Sequence, residues 1–513
     1  MPTYLSPGVY MEEVSSGSKP IEAVGTAVAA FVGFAAKGPL NEPVLVTNWT
    51  QFSGTFGDFI PGSYLAHAVY GYFLNGGGVA YVVRIGGDAS ANGSAPAGHA
   101  EIAAAGEAGR VVFTVRALPA AAAGDLTVEV VDASEPSDDN FKLVVKRAGA
   151  PVEEFDNVTA RRGAQNSVAT VVRERSQLIT VEETRGRGIA VPVKGVEVAL
   201  AGVSNVPAVP TRVRATDYVG DSADRTGFAG LEAVDEITML CVPDLMAAYQ
   251  QGIIDADGVQ AVQLAMIAHC ELMADRVAIL DTPSGLNAQQ VKEWRVNTTG
   301  YDSKYAAMYW PWIKVMDPVT GRPIMVPPNG HMAGIWARND ATRGVHKAPA
   351  NEVIRGAIAP ELNITKGEHD QLNPVAVNCI RAFPGQGIRV WGARTLSSDP
   401  EWRYLNVRRL FNYVEESILQ GTNWVVFEPN DMKLWDSVKR TITMFLRRVW
   451  RDGALFGQTP AQAFFVKCDE ENNPPENRDA GILTVEIGIA PVKPAEFVVF
   501  RISQFNEGAG VEE

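Results

Sequence analysis

Cysteine is scarce in this chain of 513 residues, which contains only Cys241, Cys270, Cys379 and Cys468. The four lie far apart in sequence, and no two of them are separated by just two residues. This spacing excludes the zinc and redox sites that are built on paired cysteines. We interpret the four as reduced, mostly buried thiols of a protein that folds in the cytosol, where structural disulfides are rare.

Basic charge and long apolar runs are also in short supply. The formal net charge is −14, whereas proteins that coat nucleic acid or bind anionic membranes depend on clustered Lys and Arg. No apolar run reaches the roughly 18 residues of a membrane-spanning helix, and the first residues lack the basic and apolar regions of a signal peptide. We therefore expect no nucleic-acid partner, no direct membrane insertion, and synthesis and folding in the cytosol.

The sequence patterns of common catalytic sites are missing as well. The phosphate-loop, dinucleotide and nucleophile-elbow patterns are absent, and the six histidines are never four residues apart. Asn75–Gly78 lies between a predicted helix and a strand, the reverse of a phosphate loop, which indicates a helix end. The neighbours His269–Glu271 diverge on a predicted helix, so we expect them to pack. We predict no enzyme activity, cofactor or metal, and we keep a hydrolase using Asp281, at a predicted strand end, as an alternative.

The order of predicted elements indicates a multidomain chain of mixed α/β and α+β type. Strands and helices alternate in a βαβ pattern at 236–280, which favours a parallel sheet. Between 87 and 217 there is no Trp or Tyr and short β-type runs recur, which predicts a β-rich insertion with a modest core. The predicted parts are an extended arm (1–20), an α/β core domain (21–87 plus 218–360), the insertion domain (88–217), a C-terminal α+β sandwich (361–494) and a terminal strand or arm (495–513).

Several single elements are predicted from local pattern. Asn48 and Asp431 are expected to cap helices, because Asn and Asp accept hydrogen bonds from free amides of the first turn. We expect a long helix from about 402 to 419 and another from 431 to 452. Strands are predicted at 305–315, 425–427, 463–468, 482–489 and 496–503.

The segment Val326–Asn351, VPPNGHMAGIWARNDATRGVHKAPAN, mixes charged residues with large apolar ones. Such a mixture is typical of a buried or inter-subunit polar network rather than of a solvated face. We predict that the network, between domains or between protomers, contains Arg338, Asp340, Arg343, His346 and Lys347.

The helix predicted at 431–452 has an apolar stripe and a basic surface, in a chain that is acidic overall. One interpretation is an ordinary solvated face. The other is a helix that docks on an acidic partner through Lys433, Lys439, Arg440, Arg447, Arg448 and Arg451.

Both ends of the chain contain β-type runs without an obvious local partner. The C-terminal run is apolar on both faces, which makes it a hazardous free edge unless another strand covers it. Ordinary pairing within the chain stays open as an alternative to strand exchange between protomers, a form of β-augmentation. The residues predicted to exchange are Val9, Tyr10, Met11, Glu12, Phe497, Val498, Val499, Phe500, Arg501 and Ile502.

Long runs of this sequence resemble contractile tail sheath proteins of phages and contractile injection systems. The runs are SPGVYMEEV, NGGGVAYVVRI, the segment Val326–Asn351, WGARTLSSDPEWRYLNVRRL and APVKPAEFVVFRI. The insertion does not carry the resemblance, and insertions of this family usually face outward.

The resemblance implies a structural subunit that forms six-fold rings stacked around an inner tube. Terminal strands of neighbouring protomers would complete the small sheet of the C-terminal domain. A baseplate signal would let the extended, metastable polymer contract and drive the tube through a target envelope without nucleotide hydrolysis. The implied partners are other copies of the chain, the inner tube, the baseplate and the terminator or cap proteins. The resemblance places the protein in a phage tail or injection particle, which can be extracellular after release. An inert capsid-like shell stays as an alternative that the residues alone do not exclude.

Overall fold

In a computed structural model, the chain divides into two compact units, one of residues 87–210 and one of all the others. The described residues are 20–86 and 212–502 and, between them, 99–104, 111–117, 126–135, 137, 139–147, 149–161, 164–176, 178–183, 191–200 and 209–210. Val9, Tyr10, Met11 and Glu12, predicted to exchange between protomers, lie outside these ranges.

The strands and helices of both units are numbered in chain order. The strands are β1 Val28–Gly33, β2 Val44–Val46, β3 Val79–Arg84, β4 His99–Ala103, β5 Val111–Ala117, β6 Leu126–Asp132, β7 Asn140–Arg147, β8 Ala150–Thr159, β9 Ile179–Glu183, β10 Glu197–Ala199, β11 Met239–Cys241, β12 Val277–Asp281, β13 Ala306–Trp310, β14 Ile313–Met316, β15 Pro323–Val326, β16 Glu352–Val353, β17 Ala357–Pro360, β18 Val377–Phe383, β19 Gly387–Val390, β20 Phe464–Lys467 and β21 Glu486–Ile489. The helices are α1 Trp49–Phe56, α2 Leu65–Asn75, α3 Val168–Arg175, α4 Ala215–Val219, α5 Asp244–Gln250, α6 Ala256–Met273, α7 Ala288–Glu293, α8 Asn329–Arg343, α9 Lys366–Leu372, α10 Leu405–Thr422, α11 Met432–Arg451, α12 Pro460–Ala463 and α13 Pro475–Asp479.

A nine-stranded sheet organises the larger unit, in the order β16-β19-β18-β13-β12-β11-β1-β3-β2. The six strands from β18 to β3 are parallel to one another. Strands such as β12 are buried along their whole length because helices cover both faces of a parallel sheet. The mixed α/β multidomain class and the parallel βαβ unit of β11, α6 and β12 are confirmed.

Three local predictions hold and two are wrong. Asn48 accepts from the amide of Gln51, Asp431 accepts from Leu434, and Gly76 ends α2 in the left-handed region. The single strand predicted at 305–315 is two strands of different sheets, because Pro311, which has no amide hydrogen, separates β13 from β14. The strand predicted at 425–427 is instead the end of a 3₁₀ helix, Asn423–Val425, and the turn that follows it, where the amides of Val426 and Glu428 donate to the backbone oxygens of Asn423 and Val425.

The nine-stranded sheet extends beyond the predicted boundary at residue 360. Strands β18 and β19 complete it, although they lie in the stretch predicted as a separate C-terminal domain. The separate C-terminal layer begins with α10 and α11, which pack on the two-stranded sheet β20-β21. At the end of the insertion, α4 belongs to the larger unit, where the hydroxyl of buried Tyr218 donates to the backbone oxygen of Asp244 at 3.0 Å.

The smaller unit is β-rich, as its sequence predicts. It contains a four-stranded sheet, β10-β6-β7-β8, a three-stranded sheet, β4-β5-β9, and helix α3. Its core is mostly Val, Ile and Leu around three phenylalanines, and the rings of Phe113 and Phe141 stack at 5.8 Å. Few aromatic side chains limit the apolar area that this core can bury.

Candidate assembly surfaces

Helix α8 carries most of the charged segment identified in the sequence, and it is buried along most of its length. It approaches α2 closely because two of its residues have no side chain. A Cβ atom on Gly330 would lie 2.2 Å from the backbone oxygen of Ala68, and one on Gly334 would lie 2.4 Å from that of Tyr72. Polar groups on so closely packed a helix must find partners inside the protein.

Asp340 of α8 forms a buried ion pair with Arg409 of α10. Arg409 Nη1 and Nη2 donate to the two carboxylate oxygens at 2.9 and 2.5 Å, and the two side chains are 3% and 5% exposed. The Thr26 hydroxyl also donates to Asp340 at 2.7 Å, and Arg409 donates to the Thr26 backbone oxygen at 2.9 Å. The guanidinium lies 4.9 Å from the ring centre of Trp336. This cluster ties α8 and α10 to the segment just before β1.

Arg338 and Lys347 belong to a second cluster rather than to the same network. Arg338 donates to the backbone oxygens of Asn75 and Val353 at 3.1 and 2.6 Å. The Lys347 ammonium group lies 2.9 Å from Glu352, which is also 3.8 Å from Arg338. The predicted single network is therefore two clusters within one protomer.

The other two residues predicted for the network differ from these three. Arg343 is exposed at the end of α8, whereas His346 is half-buried. Burial, more than any neighbouring charge, lowers the pKa of His346. The backbone oxygen of His346 accepts from the Asn406 side chain at 2.7 Å, so this residue fixes the start of α10 through its main chain.

Helix α11 separates apolar and basic residues as its sequence predicts. Its inner face, which includes Trp435, Ile442 and Phe445, is buried in the C-terminal core. The basic residues predicted to dock on a partner are all exposed: Lys433, Lys439, Arg440, Arg447, Arg448 and Arg451. Spacings of three and four residues place Arg440, Arg447 and Arg451 along one outward stripe, with exposed Met444 between them.

Arg448 also contacts the segment that precedes β1. Its Nη2 donates to the backbone oxygen of Ile21 at 2.6 Å, and its guanidinium lies 5.7 Å from the Phe445 ring. Ile21 itself is buried in the core under α11. Arg448 therefore fixes the main chain at Ile21, close to the first residue that the structure describes.

The sheet β20-β21 has only two strands among the described residues, so each strand presents one edge without a partner. The two strands are antiparallel, with Phe465 opposite Gly488. The Phe465 ring lies over Gly488, where a Cβ atom would be 2.1 Å from it. A sheet of only two strands has marginal stability on its own.

The C-terminal run Phe497–Ile502 has no strand partner within the described part of the chain. Its apolar side chains, predicted to be covered, are between 67% and 96% exposed: Phe497, Val498, Val499, Phe500 and Ile502. Arg501 is exposed with them. Pairing within the same protomer, the alternative to strand exchange, is absent from these residues.

Sequence reasoning missed four residues that hold these surfaces in place: Thr26, Arg409, Arg394 and Glu496. Arg394 lies in the family-like run WGARTL and Arg409 in YLNVRRL, so the runs pointed to the region without showing the partners. Thr26 and Arg409 are 383 residues apart in sequence. No local pattern reveals a pair that is joined only by the fold.

The larger sheet also has the topology in which α/β enzymes bind ligands. The chain leaves β1 for β3 on one side and later returns to β11 on the other, which opens a crevice at the carboxyl ends of β1 and β11. Here the Asp244 carboxylate fills that position. It accepts from the amides of Phe34 and Tyr64 and, at 2.9 Å, from the Ser63 hydroxyl. Burial raises the pKa of Asp244 to about 6, although these hydrogen bonds act to lower it.

Asp281, the residue of the hydrolase alternative, is also enclosed. It is buried at the end of β12, where it accepts from the backbone and side-chain nitrogens of Asn329. Burial raises its pKa to about 8, although the two hydrogen bonds from Asn329 act to lower it. A cavity of about 210 Å³ lies at the opposite, amino ends of the strands, beside Val28 and Thr238.

The described residues offer neither a metal site nor a membrane-spanning helix. They contain no group of three or more His, Cys, Asp and Glu placed to hold a metal ion. Their helices include none that is long and apolar enough to cross a membrane. His269 and Cys270 are buried, and Glu271 accepts from the Ser303 hydroxyl at 2.6 Å, so this trio packs as expected.

Two family models match adjacent parts of the chain. The phage tail sheath protein central domain matches residues 228–396, and the phage tail sheath C-terminal domain matches residues 397–505. The boundary between them lies after β19 and before α10, where the structure passes from the nine-stranded sheet to the C-terminal layer.

Similar proteins of known name are also tail sheaths. The tail sheath protein of Burkholderia phage BcepMu is 26% identical over 526 residues, which cover 98% of this chain and 97% of that protein. A putative prophage major tail sheath protein of Pseudomonas aeruginosa (strain UCBPP-PA14) is 29% identical over 249 residues, 47% of this chain and 61% of that protein.

Solved structures share the fold over almost the whole chain. The helical sheath of the anti-feeding prophage in its contracted state has a TM-score of 0.59 and 23% identity, covering 98% of this chain and 100% of that one. The contracted sheath complex of the PVC extracellular contractile injection system has a TM-score of 0.57 and 22% identity, covering 98% and 99%.

The two matching tail sheath domains, and a tail sheath protein that is similar over almost the whole chain, define a structural protein rather than an enzyme. The chain belongs to the contractile tail sheath family of phage tails and contractile injection systems.

Proposed function

We propose that this chain polymerises as stacked six-fold rings around an inner tube and contracts from a metastable extended state to drive that tube through a target envelope. The polymer is bounded by a baseplate at one end and a terminator or cap protein at the other. No nucleotide is hydrolysed, because the free energy released on contraction is stored when the extended polymer assembles.

The observation that carries this proposal is the match between the edges of one small sheet and the exposed C-terminal run. Among the described residues the sheet β20-β21 has two edges without partners, and the sequence predicts a strand in each of the two terminal segments. If each edge receives a segment from a different neighbour, a two-stranded sheet becomes four-stranded and the exposed side chains of Phe497–Ile502 are covered. Main-chain hydrogen bonds supply the attraction in this form of β-augmentation.

Strand exchange suits a polymer that must change shape without coming apart. The added strands keep several backbone hydrogen bonds while the bodies of the protomers rotate and exchange one set of contacts for another. A preference of about 1–3 kcal/mol per protomer for the contracted contacts, the scale of typical couplings between sites, is enough when it is summed along the polymer.

We also propose that the basic face of α11 holds the extended sheath on an acidic inner tube. The exposed stripe of Arg440, Arg447 and Arg451 supports this, since it stands out in a chain of net charge −14. Charge contacts orient partners and release them without a deep apolar seam. Of the predicted polar network, exposed Arg343 is the member best placed to reach another protomer.

The first experiment is electron microscopy of the full-length chain, expressed alone and with its tube protein. Long striated cylinders are expected, and mild urea or acid should convert them into a shorter, wider form. Cylinders with a single end state would favour the inert shell, and chains that stay monomeric even with the tube would contradict the proposal.

The strand exchange is tested by paired substitutions at one position. Val499→Pro removes a backbone donor, whereas the matched control Val499→Ala keeps it. Because donors of neighbouring residues point to opposite sides of a strand, the same pair is made at Val498. At least one proline variant should stay monomeric while both alanine variants assemble. Assembly of both proline variants would contradict strand exchange.

The tube contact is tested by reversing charge on α11. Arg440, Arg447 and Arg451 are changed together to Glu, and Arg448 is left intact because it holds Ile21. The control changes exposed Arg173, Arg175 and Arg212 to Glu, which alters the net charge equally. Only the α11 variant should fail to form extended sheaths on the tube; normal extended particles from it would contradict the docking role.

A further inference from the structure

The last fixed residue before the exposed C-terminal run is Glu496. Arg394 Nε and Nη2 donate to its two carboxylate oxygens at 2.9 and 2.7 Å. The Asn373 side chain donates at 2.7 Å and the Tyr404 hydroxyl at 3.0 Å. The side chains of Arg394 and Glu496 are only 10% and 20% exposed.

The chain is also held on the N-terminal side of Glu496. The Val492 amide donates to the Ala454 backbone oxygen at 3.2 Å, and the Asn406 side chain donates to the Val492 backbone oxygen at 3.1 Å. Pro491 forms a bridge with Leu455. The stretch that contains Pro491 and Pro494 is therefore bound to the body of the protein.

The donors to Glu496 come from three separate parts of the larger unit. Asn373 follows α9, Arg394 follows β19, and Tyr404 immediately precedes α10. The carboxylate therefore binds the body of the protein next to the nine-stranded sheet, although β21, a few residues earlier, belongs to the C-terminal layer. The side chains of residues 497–502 are exposed, so the chain changes from bound to exposed between Glu496 and Phe497.

We propose that Glu496 and Arg394 form a clasp that fixes the point and direction from which residues 497–502 reach a neighbouring protomer. The clasp rests on the proposed strand exchange, to which it adds a positioning residue. A segment whose first residue is fixed loses less conformational entropy on pairing than a segment that is free from an earlier residue. It therefore pairs faster and more tightly. The clasp also passes tension on the exchanged strand to the nine-stranded sheet during contraction.

The clasp is tested first in the monomer, without reference to assembly. Spin labels are placed at Val498→Cys and Leu419→Cys, both exposed positions, while the four native cysteines are buried. A distance distribution between the labels is recorded with Glu496 and with Glu496→Gln. A narrow distribution that becomes broad in the variant is expected, because losing a charge-assisted contact lowers the clasped population about ten- to a hundredfold.

A double-mutant cycle separates the clasp from general destabilisation. Glu496→Gln, Arg394→Gln and the double variant should slow assembly to the same extent, because each removes the same contact. The matched control is Glu471→Gln, which breaks an exposed ion pair with Lys467 and should assemble normally. Denaturant midpoints of all four monomers, read by tryptophan fluorescence, show whether slower assembly merely follows lost stability.

The outcomes are distinguishable from those of the proposed function. If the parent chain does not assemble even with its tube, the proposed function fails, whatever the label distances show. If it assembles and the variants assemble equally fast, or if the label distribution is the same in both, the clasp is overturned. Additive effects of the two substitutions would also overturn it.

Discussion

Replacing Asp340 with Asn should destabilise the larger unit by about 3–5 kcal/mol, the usual cost of removing one partner from a buried ion pair. The pair is almost fully enclosed, with 3% and 5% of the two side chains exposed. Asn keeps the size of the side chain but leaves the Arg409 charge buried without its counter-charge. The Thr26 hydroxyl keeps an acceptor, so the loss is assigned chiefly to the unpaired guanidinium.

Tryptophan fluorescence in a denaturant titration measures this loss in the relevant unit alone. All ten tryptophans lie outside residues 87–210, so the smaller unit contributes no tryptophan signal. Trp336 lies beside Arg409, and for that reason the transition midpoint is compared rather than the amplitude. The control Glu471→Gln removes an exposed pair and should cost at most about 1 kcal/mol.

The pairing is confirmed or refuted by combining two changes. Arg409→Met alone should also be strongly destabilising, because it leaves Asp340 buried and charged. Together, Asp340→Leu and Arg409→Met should cost much less than the sum of the single losses, since well-packed apolar residues can replace a buried pair. A loss below about 1 kcal/mol for Asp340→Asn, or strict additivity, would refute the reasoning.

Three further predictions follow from single contacts. Gly330→Ala should lower the free energy of unfolding by about 1–3 kcal/mol or more, because its Cβ would meet a backbone oxygen of α2. Gly367→Ala in α9, which has open space around it, should be neutral or stabilising. Equal denaturant midpoints for the two variants would contradict this. Burial raises the pKa of Asp281 from its ordinary value of 3.8 to about 8, so its contribution to stability is full below about pH 4 and is lost progressively up to about pH 8. Asp281→Asn should flatten the fall in midpoint between about pH 4 and pH 8, and an unchanged slope would count against the assignment. Arg448→Met should speed hydrogen exchange of the backbone amides around Ile21, while Arg447→Met should not; identical exchange in both would contradict the anchoring role.

Some of the candidate assembly surfaces can be predicted from the local sequence pattern, and others cannot. The two faces of α11 follow from a period of 3.6 residues, and the exposed run Phe497–Ile502 from the absence of a partner strand nearby. The strand expected at 425–427 failed because β-type residues there continue the end of α10 as a turn. Whether a β-type run pairs depends on a partner strand, which a local pattern does not contain.

The parallel sheet, the β-rich insertion, the basic helix and the family could all be recognised from the amino-acid sequence. Each of these features depends on residues that are close together in the chain, through their periodicity, their composition or a continuous run. Which charged side chains pair with each other depends on the fold. It joined Asp340 to Arg409 and Thr26, separated Arg338 and Lys347 into another cluster, and placed Glu496 on Arg394. Buried charges require partners because desolvation is costly, but any opposite charge that the fold brings near can satisfy them, and local sequence does not record which one it is.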